Sequence, residues 1–249
     1  MTALTARDLF VSVRRGAGPR RPLLDGVTVE VREGEIVVVT GPSGAGKTTL
    51  LSCLAGLSRP TSGSVAIAGV DLGRLRPSAR AALRARHVAL VQQGDDLLPS
   101  LTVRENVELV HRVRRERPDD HVVEQVLDHF GLRDRSDESP EVLSGGERRR
   151  VALARMALQP ARLIAVDEPT VGLDARSREA VLRLLQARAR SGCGVVLVTH
   201  DAEAAVVADR ILVLRAGKIA LQETAPTRES AARLFGTQTG SSGRDGRGG

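Results

Sequence analysis

One stretch of nine residues limits the folds open to this chain more than any other feature. It is Gly41-Pro42-Ser43-Gly44-Ala45-Gly46-Lys47-Thr48-Thr49, preceded by the apolar run 36–39 and followed by the largely apolar run 50–55. The pattern predicts a strand, a glycine-rich turn and a helix, with backbone N–H groups closing around phosphate oxygens at the positive end of the helix dipole. The alternative, a plain glycine-rich turn, requires neither the lysine nor the hydroxyl that follow it here.

The lysine in this stretch is informative because the chain has only two, Lys47 and Lys218, and otherwise uses arginine for positive charge. In the phosphate-binding pattern Lys47 reaches the β- and γ-phosphates, and the Thr48 hydroxyl ligates Mg²⁺. A compact ammonium suits a position where a guanidinium would crowd the phosphates. The sequence therefore predicts a nucleotide site that uses Mg²⁺.

Composition limits the size and partners of the protein. With 249 residues, 41% of them apolar, the chain can form one ATP-binding domain with a helical insertion. The net charge of +7 is compatible with a solvated arginine-rich surface, our preferred interpretation, or with nearby anionic lipid. The chain has no Trp, no Tyr and three Phe, which argues against single-stranded nucleic acid, so we expect no nucleic-acid partner.

The two cysteines and the hydropathy pattern indicate a cytoplasmic setting. Cys53 and Cys193 are far apart in the sequence and are expected to be reduced thiols rather than a disulfide or a metal site. No apolar stretch approaches the about 20 residues that a spanning helix needs, and the N-terminus lacks a signal-peptide core. If the protein works at a membrane, we expect another subunit to supply the spans.

The order of apolar runs predicts an α/β fold. Runs 9–13 and 27–31 alternate as antiparallel strands of an N-terminal β subdomain. A mainly helical insertion subdomain is predicted between about residues 95 and 160 from its helical spacing. The runs 163–166 and 195–198 are continuously apolar and are predicted to lie in the middle of a mainly parallel core sheet. Residues 1–235 are assigned to the ATP-binding domain, and the polar, glycine-rich tail 236–249 is predicted to be disordered.

The second of the chemical motifs stands at the end of a buried run. Residues 163–166 lead directly into Asp167 and Glu168, and two adjacent carboxylates are costly at the end of a buried strand unless a cation or water meets them. We expect Asp167 to hold the Mg²⁺ of the nucleotide, directly or through water, and Glu168 to polarise the attacking water as general base. A strand end with two solvated acids is the alternative.

A third motif, Leu143-Ser144-Gly145-Gly146-Glu147, precedes a helical pattern that continues to Leu158. Ser144 is a suitable N-cap, and Gly145 and Gly146 expose backbone N–H groups, so a second anion-binding helix start is predicted. An ordinary capped helix would show the same spacing.

In chain order the phosphate loop comes first, then Leu-Ser-Gly-Gly-Glu, then the apolar strand with its Asp-Glu pair. These motifs in this order resemble the ATP-binding subunit of ABC transporters, from about Leu4 to Gln222. The resemblance implies a P-loop NTPase fold that binds ATP and Mg²⁺. It implies that Gln93 is the Q-loop glutamine, which contacts Mg²⁺ and the attacking water, and that Asp174 belongs to the D-loop at a subunit contact. It also implies that His200 is the switch histidine at the γ-phosphate, so the catalytic set is Glu168, His200, Gln93 and Lys47.

The same resemblance implies partners. The residues Ser144, Gly145, Gly146 and Glu147 would face the nucleotide of a second ATP-binding subunit, expected to be identical, so that two chains bury two ATP. An integral-membrane permease would contact the surface around Gln93, which places the protein on the inner face of the cell membrane.

One position departs from the family pattern. An aromatic residue usually stacks on adenine near the end of the first strand, and that position is Val13 here. Phe10 lies three residues earlier, on a different part of the strand. We therefore expect Val13 to contact the base with weaker affinity and selectivity than an aromatic residue.

The stretch 97–107 resembles the lipoprotein-releasing and macrolide-export branch of the family, which predicts export or lipoprotein and lipid handling. A soluble ABC ATPase that acts on a ribosomal or DNA partner is the alternative, although the chain has neither a second such domain nor a long coiled-coil insertion. A regulatory module that binds ATP without turnover is a third interpretation, and it predicts loss of Glu168 or His200, both of which are present.

Overall fold

The structure is a computed structural model that describes residues 1–14, 20–94 and 96–236. The predicted disordered tail lies outside the described residues except for Gly236, which ends the last helix. Within the described ranges no helix is long and apolar enough to cross a membrane. Both cysteines are free and buried.

A six-stranded sheet forms the centre of the molecule, in the spatial order β10-β9-β3-β8-β7-β6. Its strands are β3 (Ile36–Thr40), β6 (Val88–Val91), β7 (Leu163–Asp167), β8 (Gly194–Val198), β9 (Arg210–Arg215) and β10 (Lys218–Thr224). All pairs are parallel except the β9–β10 hairpin. Every residue of β3, β7 and β8 is buried, as expected for strands covered on both faces. The predicted central position of runs 163–166 and 195–198 is confirmed.

A four-stranded antiparallel sheet lies beside this core, in the order β2-β1-β4-β5. Its strands are β1 (Thr2–Arg14), β2 (Arg20–Arg32), β4 (Ser62–Ile67) and β5 (Val70–Asp71). Its apolar side chains share one buried cluster with residues of the central sheet and of helix α1 (Lys47–Leu54). The predicted antiparallel strands are confirmed, and β1 and β2 are longer than the alternating runs suggested because polar residues also pair at their ends.

Seven further α-helices complete the described chain. They are α2 (Pro77–His87), α3 (Val103–Val113), α4 (Asp120–His129), α5 (Gly145–Leu158), α6 (Ala175–Arg190), α7 (Ala202–Ala205) and α8 (Arg228–Gly236). Helices α3, α4 and α5 occupy the stretch for which helical spacing was read, and α3 and α5 begin with capping boxes. The sequence did not predict α7 or α8. The domain limits and the limits of the insertion stay predictions.

Strand direction places the candidate site. Because β3, β6, β7 and β8 are parallel, their carboxyl ends meet at one edge of the sheet, where ligands bind in open α/β folds. The phosphate-binding stretch follows β3, Gln92 and Gln93 follow β6, Glu168 follows β7, and His200 lies two residues beyond β8. Four chain segments that are distant in sequence therefore converge.

Candidate nucleotide-binding site

The loop between β3 and α1 requires glycine at two positions. Gly41 has φ +147° and Gly46 has φ +103°, and a Cβ atom at these residues would lie 2.1 Å from the Leu214 carbonyl oxygen and 2.5 Å from the Leu23 carbonyl oxygen, respectively. Gly46 is the N-cap of α1, and no side chain caps the helix there. The first N–H groups of α1 are thus available to an anion, as the phosphate-loop pattern predicts.

Lys47 extends back over this loop. Its Nζ atom donates hydrogen bonds to the carbonyl oxygens of Gly41, at 2.7 Å, and Pro42, at 3.0 Å. Burial lowers the pKa of the ammonium, while the nearby carboxylates of Glu168 and Asp167 act in the opposite direction. The positive charge therefore lies between the loop and the two acids.

Thr48 and Asp167 form the candidate metal site. The Thr48 hydroxyl donates to Oδ2 of Asp167 at 3.0 Å, and Asp167 is only 3% exposed. Burial raises the pKa of this carboxyl, and Glu168 adds to that effect, whereas the hydrogen bond from Thr48 opposes it. A hydroxyl and a carboxylate are the hard oxygen donors that Mg²⁺ prefers, and a cation would offset the cost of the buried charge. These residues fit Mg²⁺.

Glu168 points toward His200. Its Oε1 atom lies 2.7 Å from Nδ1 of His200, and Oε2 accepts a hydrogen bond from the Thr199 hydroxyl at 3.2 Å. The Glu168 backbone has φ +50°, a left-handed conformation that costs a residue with a side chain about 1–3 kcal/mol and is common at functional sites. The carboxylate and the imidazole form a hydrogen-bonded pair that can orient and deprotonate a water molecule.

These groups line one open cleft of about 560 Å³. The residues predicted from the sequence that line it are Gly41, Pro42, Ser43, Gly44, Gly46, Lys47, Thr48, Thr49, Gln93, Asp167, Glu168 and His200. Leu23 and Phe235 also line it, and the sequence analysis missed both. Neither belongs to a local motif, since each reaches the cleft only through the packing of β2 and α8.

Other predicted site residues do not line the cleft. Ala45 is buried within the phosphate loop. Val13 lies near the end of β1 with 40% of its surface exposed, and it is not among the described residues of the cleft wall. Ser144, Gly145, Gly146, Glu147 and Asp174 lie elsewhere on the chain surface.

At the start of α5, the side chains of Ser144 and Glu147 form a capping box. Oε2 of Glu147 accepts hydrogen bonds from the Ser144 backbone N–H at 2.8 Å and from the Ser144 hydroxyl at 2.7 Å. These hydrogen bonds lower the pKa of Glu147. Asp174 caps α6 in a similar way, accepting from the Ser177 N–H at 2.7 Å, which lowers the pKa of Asp174. The Ser144 hydroxyl oxygen accepts a hydrogen bond from the Glu147 backbone N–H at 3.3 Å, which confirms the predicted N-cap. The anion-binding role of this helix start stays a prediction.

Arg149 is a third residue that the sequence analysis missed. It is buried beside the acid pair and donates hydrogen bonds to backbone carbonyls there. Helical spacing contained a signal, because Arg149, Ala152, Leu153 and Met156 follow the i, i+3, i+4, i+7 pattern of one buried face.

Comparison with known proteins agrees with this geometry. Residues 24–171 match the family model described as ABC transporter. The chain is 37% identical over 223 residues to the uncharacterized ABC transporter ATP-binding protein YvrO of Bacillus subtilis, covering 88% of this chain and 96% of YvrO. It is also 40% identical over 206 residues to the macrolide export ATP-binding/permease protein MacB of Rhodopirellula baltica, covering 80% of this chain but only 30% of MacB.

A solved structure is similar over nearly its whole length. The dimeric, post-hydrolysis ATP-binding cassette MJ0796 bound to ADP and Pi superimposes with a TM-score of 0.84 at 30% identity, covering 90% of this chain and 99% of that one. The family match extends over more than half of the chain and includes the phosphate loop, the start of α5 and the acid pair. This chain belongs to the ABC transporter family as an ATP-binding cassette of the P-loop NTPase fold, an ATPase that uses ATP and Mg²⁺.

Proposed function

We propose that this chain is the ATP-hydrolysing subunit of an ABC transporter, in which two copies bury two ATP molecules and drive a separate membrane permease. The observation that carries the proposal is the convergence of Lys47, Thr48, Asp167, Glu168 and His200 on one cleft. The dimeric state of the similar cassette MJ0796 supports the pairing.

The residues have distinct roles in this proposal. The phosphate loop and Lys47 would bind the β- and γ-phosphates. Thr48, Asp167 and Gln93 would hold Mg²⁺, which would supply positive charge beside the phosphates. Glu168 accepts a proton from the attacking water, and His200, 2.7 Å away, keeps the carboxylate oriented. Ser144, Gly145, Gly146, Glu147 and Asp174 contact the nucleotide and the interface of the second copy.

The transported class is proposed from the relatives. The MacB relatives are named macrolide export ATP-binding/permease proteins, and this chain spans only about a third of their length. We propose export, or lipoprotein and lipid handling, with the permease on a separate chain and this subunit on the inner face of the membrane.

The test is turnover and association of the purified chain beside Glu168→Gln. Removing a general base reduces turnover by about 100-fold or more, while ATP binding persists and an ATP-dependent dimer accumulates in size-exclusion chromatography. Glu179→Gln is the matched control, because Glu179 is exposed and pairs with Arg183 on α6. Turnover retained by Glu168→Gln would refute the assigned base.

Fractionation of the native cells tests the permease. Release of the subunit from membranes only by detergent, together with one integral-membrane protein, supports the proposal. Sedimentation with ribosomes, abolished by ribonuclease, would favour the nucleoprotein alternative instead.

A further inference from the structure

Arg149 is a buried arginine whose charged group bonds to the main chain of the candidate site. It lies in the second turn of α5 and is 5% exposed. Its Nη1 atom donates to the carbonyl oxygen of Gln92 at 2.5 Å, and its Nη2 atom donates to the carbonyl oxygens of Asp167 at 2.6 Å and Glu168 at 2.5 Å. One guanidinium therefore bridges two chain segments. Gln92 is 57 residues from Arg149 in the sequence, and Asp167 and Glu168 are 18 and 19 residues from it.

The three carbonyls mark the points where two neighbouring strands end. Strands β6 and β7 are parallel partners, with Val91 opposite Val166. Gln92 directly follows β6 and precedes Gln93, while Asp167 ends β7 and precedes Glu168. Arg149 therefore holds the main chain at the ends of both strands.

The backbone of Glu168 is in a strained conformation. Its φ of +50° is one that residues with side chains adopt rarely. Its N–H donates to the Val198 carbonyl at 2.8 Å, and its carbonyl is held by Arg149. The peptide groups on both sides of the strained Cα are thereby fixed, which sets the direction of the Glu168 carboxylate toward His200.

We propose that Arg149 is a positioning residue that clamps the ends of β6 and β7 and so holds Glu168 and Gln93 in their working geometry. The inference rests on the proposed roles of those two residues. A guanidinium is suited to this task because its planar, rigid fork directs several N–H donors at once, whereas an ammonium or an amide can satisfy fewer carbonyls in fixed directions.

The clamp also connects two parts of the molecule. The start of α5, with Ser144 and Glu147, lies within two turns of Arg149 on the same helix. Because Arg149 lies on α5 and donates to the Glu168 carbonyl, it joins this helix to the backbone of Glu168. Lysine or methionine at this position would weaken that connection.

Turnover kinetics of Arg149→Met and Arg149→Lys test the proposal. For Arg149→Met we expect kcat to fall about tenfold or more, as for small misplacements of catalytic groups, with KM for Mg²⁺–ATP within about twofold of the parent. Arg149→Lys should recover part of the loss. Arg188→Met is the matched control, since Arg188 is half-buried, donates to the Gln159 carbonyl at 2.6 Å, and lies near the amino end of β8, away from the cleft.

Hydrogen exchange gives a readout that does not depend on turnover. Faster exchange in segments 91–94 and 166–171 of Arg149→Met, with no such change in Arg188→Met, supports the clamp. Unchanged exchange with parent-like kcat would overturn it, and so would a loss of kcat accompanied by an equal rise in KM.

Two further outcomes are also decisive. If Arg149→Met does not fold, a reduced kcat with unchanged KM in Arg149→Lys supports positioning, whereas a parent kcat in that variant shows a structural role only. Glu168→Gln separates this inference from the proposed function, because turnover retained there refutes the base assignment while the exchange result still measures the clamp.

Discussion

At the phosphate end of the cleft, Lys47 at the start of α1 lies close to the adjacent acids Asp167 and Glu168 at the end of β7. At the end of β1, where the base is expected, the structure offers Val13, an aliphatic side chain that is 40% exposed and makes no ring stack. In this cassette the charged and polar side chains are concentrated at the end of the cleft where the phosphates and the metal are proposed to bind. Binding should therefore depend strongly on the triphosphate and weakly on the base.

The largest expected effect is at Lys47. Lys47→Met removes the only ammonium in the cleft wall described here, and we expect turnover to fall by about 100-fold or more, the loss typical of a missing electrostatic donor. Steady-state hydrolysis and calorimetric ATP binding measure it. The other lysine supplies the control, because Lys218 pairs with Asp25 at 3.0 Å and is 64% exposed. If Lys47→Met retained more than a tenth of the parent turnover, the phosphate end of the cleft would not dominate function as we expect.

Substitution of Asp167 tests how much the buried carboxylate at the phosphate end of the cleft destabilises the nucleotide-free protein. Asp167→Asn should lower turnover at least about tenfold through loss of metal contact, yet raise the unfolding midpoint of the nucleotide-free protein at pH 8. The pKa of Asp167 is raised by burial, so the folded state holds its proton above the ordinary pKa of 3.8, and stability falls as pH rises through that window. Scanning calorimetry should show the advantage of the variant shrinking as pH falls toward 3.8.

Two comparisons make this result specific. Mg²⁺–ATP should stabilise the parent more than Asp167→Asn. The gap between their unfolding midpoints should therefore narrow or reverse when Mg²⁺–ATP is added. Asp174→Asn should show no gain, because hydrogen bonds from Ser177 lower the pKa of Asp174 and its ionised form is favoured by folding. An Asp167→Asn midpoint below that of the parent at pH 8 would contradict the desolvation argument.

The next prediction adds an aromatic ring at the end of β1, where the nucleotide base is expected to bind. Val13→Tyr supplies a ring for stacking, worth about 1 kcal/mol or about fivefold in the Kd for ATP. Titration of a fluorescent ATP analogue, with GTP competition, measures affinity and base selectivity together. Val70→Tyr is the control, because Val70 is 41% exposed on β5, an edge strand of the same sheet that is separated from β1 by β4. Equal effects of the two variants would refute a base contact at residue 13.

The smallest effect is expected at Phe10. Its ring lies over Gly26, with Cζ 3.7 Å from the position of a Cβ atom there, and it does not line the cleft. Phe10→Leu should therefore change the Kd for ATP by less than about twofold, as at an ordinary surface site. A larger loss in the same titration would show that Phe10 substitutes for the missing aromatic residue at position 13.

The sequence by itself determined the local motifs and the central strands, but not helices α7 and α8. A glycine loop before a helix, a serine that caps α5 and two carboxylates at the end of β7 are properties of neighbouring residues, so residue spacing predicts them. It also predicted the phosphate-loop residues and the acid pair that line the cleft, whereas Gln93 and His200 were assigned only through the resemblance to the family.

The tertiary structure decided which of these groups touch. The contact of Glu168 with His200 spans 32 residues, and the bond from Arg149 to Gln92 spans 57. Hydrophobic periodicity states which side of an element is buried, but not which strand lies next to it or where a long side chain ends. The strand order β3-β8-β7-β6 and the packing of the helices are settled only when the whole core is assembled. The positions of Leu23 and Phe235 in the cleft and the contacts of Arg149 depend on that assembly.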